Sequence, residues 1–144
     1  MATLNKFNLF SQDLAQGVHK LTSGGTTYSI MLTNTAPVAT NHLYGDISAN
    51  EVANGNGYTT GGIALTITDS SSSGTEKVFA GSSSVWTATG AVGPFRYAVI
   101  YCTNSTPLVK PLVGWLDYGS PISLASGDTF TVSYDGTNGL LQVV

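Results

Sequence analysis

Two apolar runs joined by a short polar turn constrain the fold more than any other feature of this sequence. Residues 93–102 and 111–119 are both rich in β-branched and aromatic residues, and both are bounded by glycine or proline. Residues 103–107, Thr-Asn-Ser-Thr-Pro, are typical turn formers. The pattern predicts a central β-hairpin around which the remaining chain is arranged.

Other strand signals recur at short intervals. Residues 26–34 alternate in polarity, which predicts a half-buried strand with Tyr28, Ile30 and Leu32 on one face. Further strands are predicted at residues 63–68, 76–80, 85–89, 129–134 and 140–144. Short strands separated by turn formers, with almost no helix, are typical of β-sandwiches and jelly rolls. The sequence therefore predicts an all-β fold, a single-domain, jelly-roll-like antiparallel β-sandwich over residues 1–144.

The N-terminal segment departs from this rhythm. Residues 1–10 mix apolar and polar side chains, and are consistent either with an edge strand or with an arm lying on a partner. The next residues predict one short helical turn, with Ser11 as its N-cap and Leu14 and Val18 on one face.

Residues 35–62 form the second departure, because turn formers follow one another there without a strand signal. This predicts a long irregular loop, with Leu43 and Ile47 packed on the core. Loops of this length inside a small domain are commonly functional or held by a partner.

Charge is scarce in this chain. Asp, Glu, Lys and Arg make up 9% of the residues, against about 25% in typical soluble domains. The net charge is -3 and the basic residues are scattered, which argues against direct nucleic-acid binding. No apolar run reaches the roughly 18 residues of a membrane span, and no secretion signal is evident. A surface of neutral polar groups, partly covered by neighbours, is expected.

The sequence offers little material for catalysis. His19 and His42 stand alone, without the spacing of metal ligands, and the acidic residues are spread over separate turns. We therefore predict no catalytic residue, no metal site and no cofactor, and expect a protein that is not an enzyme. Asp117 on the predicted hairpin would face either solvent or Arg96 of the partner strand, and an ion pair between the two is expected. Cys102 is expected to be buried.

Five segments carry a family resemblance. They are FSQDLAQGVH at 10–19, LTNTAPVAT at 32–40, GPFRYAVIY at 93–101, PLVGWLDYG at 111–119 and SGDTFTV at 126–132. Over most of its length the chain resembles a family of small structural proteins in the virions of tailed bacteriophages.

The resemblance implies a capsid decoration, or cement, protein with a rigid β scaffold. Such a protein binds the outer surface of the capsid and stabilises contacts between capsomers of the major capsid protein. It would be a homo-oligomer, a dimer or a trimer, made in the cytoplasm of the bacterial host and carried on the capsid exterior. An alternative is a tail, neck or fibre-associated virion protein, with carbohydrate binding by tyrosines such as Tyr44 and Tyr58.

The two irregular segments are the predicted contact regions, because both carry apolar residues outside the strand pattern. The candidate interface residues are Leu4, Phe7, Leu9, Phe10, Pro37, Val38, Leu43, Tyr44 and Tyr58.

Overall fold

The computed structural model describes residues 3–22, 24–72, 75–80 and 82–143. The strands are β1 (Leu4–Lys6), β2 (Tyr28–Thr33), β3 (Ile63–Leu65), β4 (Ile67–Ser72), β5 (Thr75–Ala80), β6 (Ser84–Thr87), β7 (Val92–Cys102), β8 (Leu112–Leu124), β9 (Thr129–Val132) and β10 (Leu141–Val143). One α-helix, α1 (Phe10–Ala15), and two 3-10 turns, Tyr44–Asp46 and Ser48–Asn50, complete the elements. The structure is mostly β, which confirms the predicted all-β class.

A five-stranded antiparallel sheet in the order β1-β8-β7-β2-β3 forms the centre of the molecule. Its two longest strands, β7 and β8, are the predicted hairpin, with Val99 opposite Trp115 and Ala98 opposite Leu116. The register shifts at three places along the pair, so the two strands are locally irregular. The central hairpin is therefore confirmed.

Strands cover one face of this sheet. A three-stranded sheet, β10-β5-β4, and a two-stranded sheet, β6-β9, contribute to the main core cluster together with β2, β7 and β8. The ring of Phe130 on β9 lies 4.8 Å from that of Phe95 on β7 and 5.1 Å from that of Tyr118 on β8, measured between centroids. Both pairs meet edge to face, which is a favourable arrangement for aromatic rings.

The other face of the sheet is buried as well. Met31, Val99, Tyr101 and Leu112 point to this side and form a second core cluster, completed by Phe7 and Ile47. The predicted orientation of Tyr28, Ile30 and Leu32 toward one face is confirmed, but the prediction of a half-buried strand is wrong. Met31 is fully buried because the long loop closes the face that was expected to meet solvent.

The N-terminal segment takes the first of its two predicted forms. Leu4 pairs with Leu116 and Lys6 with Gly114, so residues 4–6 are an edge strand rather than a free arm. Residues 1 and 2 of the predicted arm lie outside the described part of the chain. Helix α1 is the expected short helix, but its N-cap is Leu9; Ser11 lies inside the first turn, where its hydroxyl accepts a hydrogen bond from Lys6 Nζ at 2.7 Å.

The long loop is fastened to the sheet along its length. Leu43 forms a β-bridge with Pro111, and Glu51 forms one with Thr33. Ile47 is buried as predicted, whereas Leu43 is half-buried. At its end, Gly62 has a φ of 74°, and a Cβ there would collide with the carbonyl oxygen of Ile30. Only glycine lets the loop pass this close to the backbone of β2.

Candidate functional site

The predicted interface residues fall into three groups in the structure. Phe7, Phe10 and Tyr58 are only 1%, 4% and 2% exposed, because they pack into the chain's own core. Half-buried positions are taken by Leu4, Leu9, Pro37, Leu43 and Tyr44. Val38, at 58%, is the exposed member of the set. A partner can therefore reach Val38, whereas the three buried rings are occupied in holding the fold together.

Two further valines are exposed among the described residues. Val109 is 72% exposed in the turn between β7 and β8, and Val85 is 48% exposed on β6. The turn of Val109 lies against the long loop, since the backbone N–H of Tyr44 donates to Lys110 and that of Leu112 donates to His42, each at 2.8 Å. We call residues 37–41 and 107–110 together the valine loops. Sequence reasoning missed Val109, although an apolar residue inside a polar turn was a visible signal.

A groove opens beside the N-terminal edge strand. It has a volume of about 340 Å³ and is lined by Leu4, Leu116, Tyr118, Tyr134 and Leu140, among others. A second groove of about 320 Å³ shares Leu4 and Leu140 with the first. Burial raises the pKa of Tyr118 to about 12, so its hydroxyl stays protonated at neutral pH.

A carboxylate ties distant parts of the long loop to one another. Glu51 accepts hydrogen bonds from the hydroxyls of Tyr44 at 2.5 Å and Tyr58 at 2.7 Å, and from the backbone N–H of Gly61 at 2.6 Å. Tyr58 in turn accepts the N–H of Leu32 at 3.0 Å. Burial, followed by the bond to Glu51, raises the pKa of both tyrosines. These hydroxyls are engaged inside the chain, and the prediction of Tyr58 as an exposed tyrosine is wrong, because it is 2% exposed.

The two histidines that appear isolated in sequence meet at one aspartate. Oδ2 of Asp13 lies 2.8 Å from Nε2 of His42 and 3.9 Å from Nε2 of His19. Asp13 and His19 are buried, whereas the side chain of His42 is 27% exposed. The cluster joins helix α1, the segment after it and the long loop. Its members are separated by six and 23 positions in sequence, so spacing alone carried no signal for it.

The acidic side chains are largely occupied within the chain. Each acid whose side chain is described accepts a hydrogen bond from a residue of this protein: Asp13, Asp46, Glu51, Asp117, Asp128 and Asp135. Asp46, Asp128 and Asp135 bond to backbone N–H groups of their own turns. These hydrogen bonds fix the positions of the side chains but do not remove their negative charge, so the scarcity of surface charge follows from the composition.

Two smaller predictions are confirmed. Arg96 donates to both oxygens of Asp117, at 2.7 and 2.8 Å. This hydrogen-bonded guanidinium holds the pKa of Asp117 below its usual range. Cys102 is buried in the main core cluster.

The described part of the chain contains no group of three or more histidine, cysteine, aspartate or glutamate side chains arranged to hold a metal ion. None of its helices is long and apolar enough to cross a membrane. Comparison of the chain with protein-family models, with curated proteins and with solved structures gives no match.

Proposed function

We propose that this protein is a structural component of a tailed-phage virion that decorates the outer surface of the capsid. It would bind across capsomers of the major capsid protein and stabilise their contacts. The proposal assigns it no catalytic role and no cofactor. It places the protein on the capsid exterior, after synthesis in the cytoplasm of the bacterial host.

The observation that carries the proposal is the scarcity of charge. Asp, Glu, Lys and Arg make up only 9% of the residues. A freely diffusing domain commonly keeps about a quarter to a third of its surface charged, which favours solubility. A chain with so few charges lacks this aid to solubility. It is better suited to an assembly in which neighbouring proteins cover its surface. The resemblance of the five segments to virion structural proteins points the same way.

The scaffold suits this role. We infer that the sheets form a jelly-roll-like β-sandwich, supported by the main core cluster that joins the five-stranded sheet to the two smaller ones. Such a body is stiff, so loops attached to it can hold a fixed spacing between two binding sites. Weak contacts repeated over many identical capsomers, by a dimer or trimer of this chain, give tight overall attachment through avidity.

The valine loops are the proposed capsid contact. Among the described residues, Val38 and Val109 are the two most exposed large hydrophobic side chains. The residues that follow the two loops connect them, since Tyr44 donates to Lys110 and Leu112 donates to His42. The N-terminal residues Phe7 and Phe10 have no place in this contact, because removing them would open the core. Point substitutions in the valine loops are therefore a sharper test than truncation.

The test measures binding of the purified chain to capsids that lack it. We expect Val38→Asp and Val109→Asp to weaken binding at least tenfold. Val85→Asp, which changes a valine that is 48% exposed on β6, should leave binding unchanged. Thermal unfolding of each variant shows that the fold is retained. Equal binding to capsids by all three variants would show that the valine loops are not part of the interface.

Copy number separates capsid decoration from the alternative of a tail, neck or fibre protein. Quantitative imaging of intact virions should find hundreds of copies on the icosahedral shell. A few copies in a multiple of three or six at one vertex would establish the alternative, and absence from virions would reject both. Native mass spectrometry of the free protein would distinguish a dimer from a trimer.

A further inference from the structure

Three ionisable side chains from different parts of the chain meet below the surface. Asp13 belongs to helix α1, His19 follows that helix, and His42 lies in the long loop. Both imidazoles direct Nε2 toward the same carboxylate oxygen, Oδ2 of Asp13. Through this oxygen Asp13 contacts His42, and the contact connects residues 10–21 with the long loop.

The surroundings of the buried His19 do not favour a positive charge. His19 is faced by the hydroxyl of Tyr28, 3.5 Å from its Nδ1, and by the ring of Phe10. Cys102 interacts with Tyr28 rather than with the imidazole. The carboxylate of Asp46 lies beside His42, whose backbone N–H it accepts, and Lys20 is exposed to solvent. Oδ2 of Asp13 is 3.9 Å from Nε2 of His19 and is already bonded to His42, so a buried imidazolium at His19 is costly.

The hydrogen bonds indicate which imidazole is neutral. Thr26 donates to the Tyr28 hydroxyl at 2.6 Å, which leaves the Tyr28 proton free to point at Nδ1 of His19. Nδ1 then acts as an acceptor and the single ring proton sits on Nε2, facing Asp13. Among the described residues that nitrogen has no hydrogen-bond partner, since Oδ2 of Asp13 is 3.9 Å away. Burial lowers the pKa of His19 to about 4, in agreement with this geometry.

We propose that Asp13, His19 and His42 form an acid-released latch that holds residues 10–21 against the long loop. The latch is closed while His19 is neutral, and entry of a proton on His19 requires local opening. Opening separates helix α1 and residues 16–21 from the loop but leaves the central hairpin paired. The inference does not depend on the proposed capsid role.

Hydrogen exchange measured by mass spectrometry between pH 7 and pH 4.5 tests the latch, after correction for the intrinsic exchange rate. Below pH 6.5 the open form binds one proton more than the closed form, so the opening constant should rise tenfold per pH unit, about a hundredfold by pH 4.5. The rise should be confined to peptides from residues 10–21 and 38–47. Peptides from β7 and β8 should keep their protection.

Two matched variants separate titration from mere packing. His19→Gln keeps a donor and an acceptor but cannot take a proton, and should give opening that no longer depends on pH. His42→Gln keeps a donor to Asp13 and leaves His19 able to take a proton, so the rise of opening with acid should persist. If His19→Gln opens with the wild-type slope, or if β7 and β8 lose protection in step with residues 10–21, the latch is rejected.

NMR of the wild-type protein provides a measurement that needs no variant to fold. The chain has two histidines, so their ring signals can be followed directly. The His19 signal should stay in its neutral position down to pH 5 in the closed protein. A His19 that becomes protonated near pH 6.5 while residues 10–21 remain protected would overturn the proposal.

Discussion

Both faces of the five-stranded sheet carry buried residues, but they are covered in different ways. One face packs against other strands, and its contacts are dominated by interdigitated side chains such as Phe95 and Phe130. The other face is covered by the long loop and by Phe7, and the loop is cross-linked internally by hydrogen bonds to Glu51.

This difference has consequences for stability. The strand-covered face depends on apolar packing, which is insensitive to pH and spread over many residues. The loop-covered face depends on a small number of polar groups, each of which is costly to leave unpaired once buried. We expect local opening to begin on the loop-covered side, because fewer contacts must be broken there.

The largest expected effect comes from the strand-covered face. Phe95→Ala removes a fully buried ring that contacts Phe130, and should lower the free energy of unfolding by about 3–5 kcal/mol. Trp115→Ala is the matched change on the loop-covered face. Trp115 is half-buried against Phe7, so its loss should cost less, about 2 kcal/mol. Urea denaturation measures both values, and a larger loss for Trp115→Ala would contradict the comparison.

Acid should lower the free energy of unfolding through His19 and its polar contacts, and not through the strand-covered face. The pKa of His19 is 6.5 when unfolded and about 4 when folded, so between these values the unfolded chain binds a proton that the folded chain does not. Stability is therefore lost as the pH falls from 6.5 to 4, by about 3 kcal/mol in all. Denaturation curves at pH 7 and pH 4.5 should show most of this loss in the wild type. In His19→Gln the difference should shrink sharply; an unchanged difference would assign the acid sensitivity elsewhere.

Removal of the loop's carboxylate should have an intermediate effect. Glu51→Ala leaves the hydroxyls of Tyr44 and Tyr58 and the N–H of Gly61 without their acceptor, at a cost of about 2 kcal/mol. Glu51→Gln, which keeps one acceptor oxygen, should cost clearly less. Hydrogen exchange should locate the added opening in residues 44–62. Equal losses of stability for both variants would contradict the expectation that the acceptor oxygens of Glu51 stabilise the loop.

The smallest effect is expected at the surface of the hairpin. Asp117→Asn weakens the bidentate pair with Arg96, but both side chains are about one third exposed and solvent screens their attraction. The melting temperature should be nearly unchanged, and raising the salt concentration should alter the wild type as little as the variant. A large loss of stability would mean that this pair contributes to the fold rather than only to its surface.

The candidate site was less predictable than the fold. Val38 was found by sequence reasoning because it lies in a loop without strand pattern, and it is exposed. Phe7, Phe10 and Tyr58 were chosen on the same grounds but are buried, since an apolar residue outside a strand can serve the core as readily as a partner. The Asp13 cluster could not be predicted, because its members come from segments with no pattern in common.

Sequence by itself determined the β class, the central hairpin, the face to which Tyr28, Ile30 and Leu32 point, and the pairing of Arg96 with Asp117. These features follow from local alternation and from residues opposite one another on adjacent strands, which a single chain displays directly. Only the tertiary structure decided that the long loop closes the second face, that residues 4–6 join the sheet edge, and that His19 and His42 share one carboxylate. Each of these depends on contacts between residues distant in sequence, which are set by how the loops pack and not by any local period.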